Sequence, residues 1–292
     1  MAVIDVAQTS DSPSSAGDGR PGARPVIEIG GMTLDAGAFT LIAGPCSVTD
    51  TDRTIRVARE VKAGQATMFR GGAFKPRRDP HAFQGLGERG LAMLARAGAE
   101  TGLPIVTELL DVRDLETVHE VADVIQVGAR NMHNTGLLKA LGQTRRPVLL
   151  KRGLAATIDE TVKAADYIRA GGNDRVLLCE RGIRTFETAY RFTLDLTAVP
   201  ILQELSGLPV FVDPSHGPGR RDLVSRLSKA AVAVGADGLI VEVDEDPEDA
   251  PCDGPQQLYS ADFRRYAAEI RIAVEAEGRR IARAGEPTAR RL

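Results

Sequence analysis

Tryptophan is missing from this chain, and aromatic residues make up only 4% of it. That scarcity argues against an aromatic-lined platform for sugars or for nucleic-acid bases. Cysteine is sparse as well. Three residues, Cys46, Cys179 and Cys252, are too few and too odd in number for a disulfide framework, and they fit a reducing compartment, so a cytoplasmic protein is expected. No apolar run approaches the ~20 residues that cross a bilayer. The N-terminus lacks the apolar core of a secretory leader, because the stretch 9–24 is rich in Ser, Gly, Asp and Pro. Nor does one sign of charge dominate. The 37 Lys and Arg face 40 Asp and Glu, a net of −3, which disfavours a uniformly basic nucleic-acid binder. Any cationic site must therefore be local.

What is present is apolar residue in quantity, 43% of 292 residues, enough for one large core of the size usual for an α/β barrel. A repeating pattern runs through it: a short aliphatic run, an amphipathic stretch, a Gly or Pro, then another run. The runs are Leu41–Gly44, Thr67–Phe69, Pro104–Thr107, Val124–Val127, Val148–Leu150, Val176–Leu178, Val210–Val212 and Gly238–Val241. Near-continuous apolar strands of this kind suit a parallel sheet buried on both faces. Helix signals lie between them. Thr157-Ile-Asp-Glu160 reads as a capping box, Thr49-Asp-Thr-Asp52 as a weaker version, and Asp111 and Ser260 as caps. Val112, Leu115, Val118 and Val121 form one apolar stripe, and Phe263, Tyr266, Ala267 and Ile270 another. Gly64, Gly102 and Gly235 stand where helices should stop.

Eight strand–helix units in series predict a (β/α)8 barrel, with an open doubly wound sheet as the alternative. Ahead of them, Val26–Ile29, Gly30-Gly31 and Met32–Leu34 read as a short hairpin placed to plug the N-terminal mouth. The expected organisation is a disordered segment over 1–24, a catalytic barrel over 25–275 and an Arg- and Ala-rich extended helix end or tail over 276–292, with no separate regulatory domain.

Barrel enzymes carry their chemistry at the C-terminal ends of the strands. Two groups of residues follow the runs. The first is Cys46, His216, Glu242 and Asp253: one sulfur, one imidazole and two carboxylates. Strands one, seven and eight become neighbours on closure, so these can converge on a divalent metal. The mixed donor set suits Mn2+, Fe2+ or Co2+, and accommodates Zn2+. A lone Cys after a strand is more often core; four potential ligands at one mouth make the metal site. The second group is cationic: Arg70, Lys75, Arg77, Arg130, Lys151, Arg181 and Arg184. They recur singly at strand ends, where their mutual repulsion calls for at least two anionic groups on the substrate. His81, His119 and His133 read as surface or packing residues, and Cys179 as core. Cys252 abuts Asp253, so a Cys46–Cys252 disulfide that removes a ligand is the expectation under oxidation.

The ordered series GPCS, RGGAFKPR, FQGLG, GARN, LLKRG, CERGIRTFETAYR, DPSHG, GADGLIVEV and DGPQ, between Ile42 and Phe263, closely resembles the 3-deoxy-D-arabino-heptulosonate 7-phosphate (DAHP) synthases of the type I beta branch. The resemblance implies a metal-dependent transferase that condenses phosphoenolpyruvate with erythrose 4-phosphate at the entry to the shikimate pathway. It implies that Arg70, Lys75, Gly128, Ala129, Arg130, Lys151 and Arg181 grip phosphoenolpyruvate, and that Cys46, His216, Glu242 and Asp253 hold the metal, with Mn2+ first among the ions. Lys75-Pro76-Arg77 looks like the element that receives the aldose phosphate. Related octulosonate 8-phosphate synthases carry Ala-Asn-Arg after that lysine, so Pro76 favours the four-carbon acceptor. One departure stands out: the family usually has Thr or Ser where this chain has Arg78, which opens the acceptor to a different phosphorylated aldose. In the mechanism these residues suggest, the metal polarises the aldehyde, Lys75 hydrogen-bonds its oxygen or donates a proton to it, Glu108 with Lys75 positions the attacking water, and Arg130, Lys151 and Arg181 hold the departing phosphate. Many relatives of this kind are tetramers, so a homo-oligomer, tetramer or dimer, is expected. A non-catalytic relative, binding metabolites or a partner such as a chorismate mutase, is the reading from another class. No nucleic-acid or membrane partner is expected.

Overall fold

The computed structural model describes residues 26–35, 37–77 and 79–282. The expected disordered segment 1–24, the end of the expected tail and Arg78 lie outside the described residues.

An antiparallel hairpin comes first, β1 (Ile27–Ile29) with β2 (Met32–Leu34), Ile27 opposite Leu34. Eight strand–helix units follow: β3 (Ala38–Gly44) and α1 (Thr51–Ala63), β4 (Met68–Arg70) and α2 (Glu88–Thr101), β5 (Ile105–Glu108) and α3 (Leu115–Val121), β6 (Val124–Val127) and α4 (Thr135–Gly142), β7 (Val148–Lys151) and α5 (Ile158–Arg169), β8 (Val176–Glu180) and α6 (Ala198–Ser206), β9 (Val210–Val212) and α7 (Arg221–Ala233), and β10 (Gly238–Asp244) and α8 (Phe263–Ala276). Each of β3 to β10 pairs in parallel with the next, and β10 pairs with β3 from Gly238 opposite Thr40 to Glu242 opposite Gly44. The sheet is therefore a closed ring, which removes its exposed edges. A two-residue strand, β11 (Leu258–Tyr259), pairs in parallel alongside the end of β10.

Strand residues alternate between two apolar layers. Leu41, Ala43, Phe69, Ile105, Ile125, Leu150 and Leu178 face the helices. Ile42, Met68, Val106, Val124, Leu149, Leu177, Phe211 and Ile240 fill the interior, together with Cys179, the expected core cysteine. The same inner cluster holds Ile27, Ile29, Met32 and Leu34, so the hairpin closes one mouth by packing its apolar face onto the barrel floor.

Local signals mostly act as expected. Thr157 and Glu160 form the reciprocal capping box, and Asp50 within the weaker motif accepts from Arg53 N–H. α1, α2 and α7 end at Gly64, at Gly102 and beside Gly235. Three details differ. Asp111 caps a 3-10 turn, Val112–Asp114, so the α-helix starts late and Val112 stays 49% exposed while Val118 is buried. Ser260 opens another 3-10 turn and its side chain caps nothing; α8 begins at Phe263 with Phe263, Tyr266, Ala267 and Ile270 buried. After α8 the chain does not run on as helix: β12 (Arg280–Ile281) pairs with β3 at Ala38–Phe39, because Ile281 and Ala282 return to the apolar layers. Among the described residues no helix is long and apolar enough to cross a membrane.

Candidate active site

Inward positions recur at every second residue of a strand. Two residues past six of the inner apolar side chains, the strand reaches the open mouth and its chemistry changes. Met68 gives way to Arg70, Val106 to Glu108, Val124 to Gln126, Leu149 to Lys151, Phe211 to Asp213 and Ile240 to Glu242. All of these except Glu108 are buried, and Glu108 is half-buried. The barrel thus sets a ring of charge on an apolar floor, where each charge needs a partner.

The four expected ligands meet around Asp253. Its Oδ2 lies 3.2 Å from Cys46 Sγ and 4.0 Å from His216 Nε2, which is 3.4 Å from Glu242 Oε1. Asp253 adopts a left-handed backbone, φ 55°, ahead of a 3-10 turn at Gly254–Gln256. Two overlapping donor sets result, His216 with Glu242 and Asp253, and Cys46 with Cys252 and Asp253; within each, the donor atoms lie no more than 4.8 Å apart.

Surrounding groups orient these donors. Asp213 Oδ2 lies 2.7 Å from His216 Nδ1 and 2.5 Å from Lys151 Nζ, while its Oδ1 accepts the backbone N–H of Ser215 and His216. An Nδ1–H given to a carboxylate leaves Nε2 as the ligating nitrogen. Arg70 donates to Glu242 Oε1 at 2.6 Å and Gln256 to Oε2 at 2.6 Å. Burial alone would raise the carboxyl pKa values, but His216 and Lys151 hold Asp213 well below the usual range. His216 and Arg70 likewise overcome burial at Glu242, and His216, Arg191 and Lys75 do so at Asp253. Burial would also strip the charge from Lys75, yet Cys46, 3.1 Å from its Nζ, together with Cys252 and Glu242, keeps its pKa above the ordinary lysine value. Sulfur, imidazole and ionised carboxylates at one point fit a first-row divalent cation.

Beside the donors lie two joined hollows. The outer one, 560 Å³, is lined by Lys75, Pro76, Arg77, Glu108, Arg130, Arg181, Arg184, His216 and Asp253 among others. The inner one, 50 Å³, is lined by Arg70, Lys75, Glu108, Gly128, Ala129, Arg130, Lys151 and Arg181. The described members of the expected cationic group therefore share one mouth. Cys46 and Glu242 are buried and border neither hollow. Arg181 Nη1 is buried and meets no protein acceptor among the described residues, and burial lowers its pKa. A guanidinium in that state is suited to an anionic ligand. Glu108 takes a 2.9 Å hydrogen bond from Gln126. Gly128 permits this arrangement, since a Cβ there would stand 2.0 Å from Glu108 Oε1.

Four residues entered the site without a role from sequence. Asp213 and Gln256 stand inside recognisable motifs, but nothing local marks them as partners of ligands. Gln126 sits within an apolar run and only its period-two position betrays it. Arg191 lines both hollows and pairs with Asp253, yet it is 62 residues away in the chain. The segment carrying Arg181, Arg184 and Arg191 is pinned by Arg152, whose Nη1 lies 2.9 Å from both Glu180 and Asp195. His81, His119 and His133 border neither hollow.

Comparison with known proteins agrees with this geometry. The model of the DAHP synthetase I family matches residues 27–275. The phospho-2-dehydro-3-deoxyheptonate aldolase of Thermotoga maritima is 49% identical over 256 residues, 88% of this chain and 76% of that protein. Its crystal structure superposes with a TM-score of 0.86 at 48% identity over 89% of this chain and 76% of that one, and a truncated form gives 0.83 at 46% identity over 89% and 95%. A 2-dehydro-3-deoxyphosphooctonate aldolase from Syntrophobacter fumaroxidans is 34% identical over 80% of this chain and 86% of its own.

Proposed function

Because this chain belongs to the DAHP synthetase I family, we propose that it condenses phosphoenolpyruvate with erythrose 4-phosphate, giving 3-deoxy-D-arabino-heptulosonate 7-phosphate and inorganic phosphate, with a divalent metal held by Cys46, His216, Glu242 and Asp253. The observation that carries the reading is the inner hollow. Arg130, Lys151 and Arg181 border it together with Arg70 and Lys75, against the one carboxylate of Glu108, and Arg181 has a buried donor to spare. That is a lining for a small, multiply charged anion. The wider outer hollow, with Pro76, Arg77 and Arg184, takes the longer aldose phosphate.

When bound, the metal supplies a Lewis acid for the acceptor aldehyde, and Mn2+ is the ion favoured here, ahead of Fe2+, Co2+ or Zn2+. The chain's own groups do the rest. Arg130, Lys151 and Arg181 hold the phosphate of phosphoenolpyruvate, and Arg70 with the backbone at Gly128-Ala129 faces its carboxylate. The methylene carbon attacks the aldehyde carbon in the outer hollow, and protonated Lys75 gives its proton to the aldehyde oxygen, which becomes the new hydroxyl. Water then adds to the cationic enol carbon, its proton passing to Glu108, which Gln126 orients. The hemiketal phosphate collapses by C–O cleavage, and the leaving phosphate stays among the same three cations. Positioning and fixed charge account for most of the effect. The reading also makes the enzyme a cytoplasmic homodimer or homotetramer.

Arg78 bears on the acceptor. It follows Arg77, where the family has a hydroxyl residue, so it can add a charge-assisted contact to the aldose phosphate. The test is phosphate release from phosphoenolpyruvate and Mn2+ with erythrose 4-phosphate, arabinose 5-phosphate or no aldose, before and after chelation. Chelator-sensitive turnover with erythrose 4-phosphate alone is expected. Turnover with arabinose 5-phosphate alone would overturn the acceptor assignment, and full turnover after chelation would overturn the metal.

A further inference from the structure

We infer that Cys252 is a fifth donor of the metal centre, a second sulfur beside Cys46 that biases the site toward thiophilic ions. The inference rests on the metal reading above and concerns a residue outside the four-ligand set.

The two thiols are placed together by the fold. Cys252 Sγ lies 3.1 Å from Cys46 Sγ, and both are buried. Buried Gln257 clamps their backbones: its Oε1 accepts from Cys46 N–H at 3.0 Å and its Nε2 donates to the Cys252 carbonyl at 3.1 Å. Ser47 Oγ, next in the chain to Cys46, lies 3.1 Å from Cys252 Sγ. Cys252 also precedes Asp253 directly, so one turn of loop presents two donor atoms to the same point, and Cys46, Cys252 and Asp253 already form a donor set of their own. Lys75 Nζ, 3.1 Å from Cys46 Sγ, adds positive charge where thiolates gather.

The chemistry of such a set differs from that of the four ligands alone. One thiolate among nitrogen and oxygen donors leaves hard ions such as Mn2+ well served; two thiolates favour Zn2+ and its softer congener Cd2+. At a Zn–S length of about 2.3 Å, a tetrahedral angle separates two sulfurs by about 3.8 Å. The pair must open slightly, and Cys252 can yield because it lies in a loop outside helix and strand. Each thiol gives up its proton as the metal binds. Substrate need not lose its place, since neither thiol lines the hollows.

The test uses the metal-free full chain, kept reduced with a phosphine, and Cd2+ as the probe. Thiolate-to-Cd2+ charge-transfer absorbance counts sulfur donors. Wild type should give about twice the absorbance of Cys252→Ser, Cys252→Ala or Cys46→Ser, since one thiolate of two is lost. The ratio of Zn2+ to Mn2+ affinity should fall by roughly ten- to a hundredfold in both Cys252 variants, the loss typical of a damaged metal site. Thermal melting of the metal-free variants checks that they fold. Equal absorbance in wild type and the Cys252 variants, with loss only in Cys46→Ser, would overturn the inference and leave the metal reading intact. Absence of charge transfer in wild type would overturn both.

Discussion

Arg191 holds Asp253 in place: its Nη1 donates to Asp253 Oδ1 at 2.9 Å, which leaves Oδ2 turned toward Cys46 and His216. The same nitrogen donates at 2.9 Å to Gln256 Oε1, and Gln256 passes the order on to Glu242. The arginine is itself well seated. Its N–H bonds the Pro218 carbonyl, and its stem lies against Gly219, where φ is +68° and an added Cβ would come within 2.9 Å of it. Arg191→Met should therefore weaken Mn2+ binding by roughly ten- to a hundredfold without lowering the melting temperature of the metal-free protein. Arg191→Lys should recover part of the loss. Competition with a chromogenic chelator measures both.

Asp213 joins the cationic side of the mouth to the cluster of four donors, through Lys151 on one hand and His216 on the other. Asp213→Asn keeps the shape but turns one carboxylate oxygen into a donor, which meets the imidazole and the ammonium badly at Oδ2 or two backbone N–H groups badly at Oδ1. Phosphate-release activity should drop by about ten- to a hundredfold. Steady-state kinetics at saturating metal checks this, and an unchanged rate would show that neither partner needs the carboxylate.

Arg152 should matter to stability more than to chemistry. It is buried with Glu180, which is fully enclosed, and its Nε donates to the Ala156 carbonyl. Arg152→Met leaves Glu180 enclosed without its cation. Removing one partner of a buried pair costs about 3 kcal/mol or more, so the denaturation midpoint should move down by a matching amount.

The capping box gives a pH signature. Backbone and side-chain hydrogen bonds at Thr157 lower the Glu160 pKa below the ordinary glutamate value. A carboxyl lowered on folding stabilises the native state above its unfolded pKa of about 4.3, and that contribution disappears as pH falls through the folded value. Wild type should melt above Glu160→Ala at pH 7, and the gap should close below about pH 4. Paired melting curves across that range decide the matter.

Most of the fold was legible because a buried parallel strand cannot hide. Val124–Val127 and Val210–Val212 were placed to the residue, and Thr157-Ile-Asp-Glu160 announced its helix. Strand ends were read short wherever the chain turned charged, as at Glu108, Lys151 and Asp244, since a polarity rule stops before hydrogen bonding does. Cys46, His216, Glu242 and Asp253 were legible because each follows a strand or lies in the loop beyond one. Arg191, Gln126 and the Gln257 clamp were not. Their roles depend on which distant backbone comes alongside, and local sequence does not record that.

The seam between β3 and β10 carries a consequence of its own. Glu242 lies opposite Gly44, two residues from Cys46, so the first and last barrel strands each bring a donor to the same spot. A cation bridging those donors binds only when the ring is shut, and its binding energy opposes every excursion in which the first and last strands part. The ion would thus act as a latch on the barrel, and the ability to capture it would report that the final strand has docked.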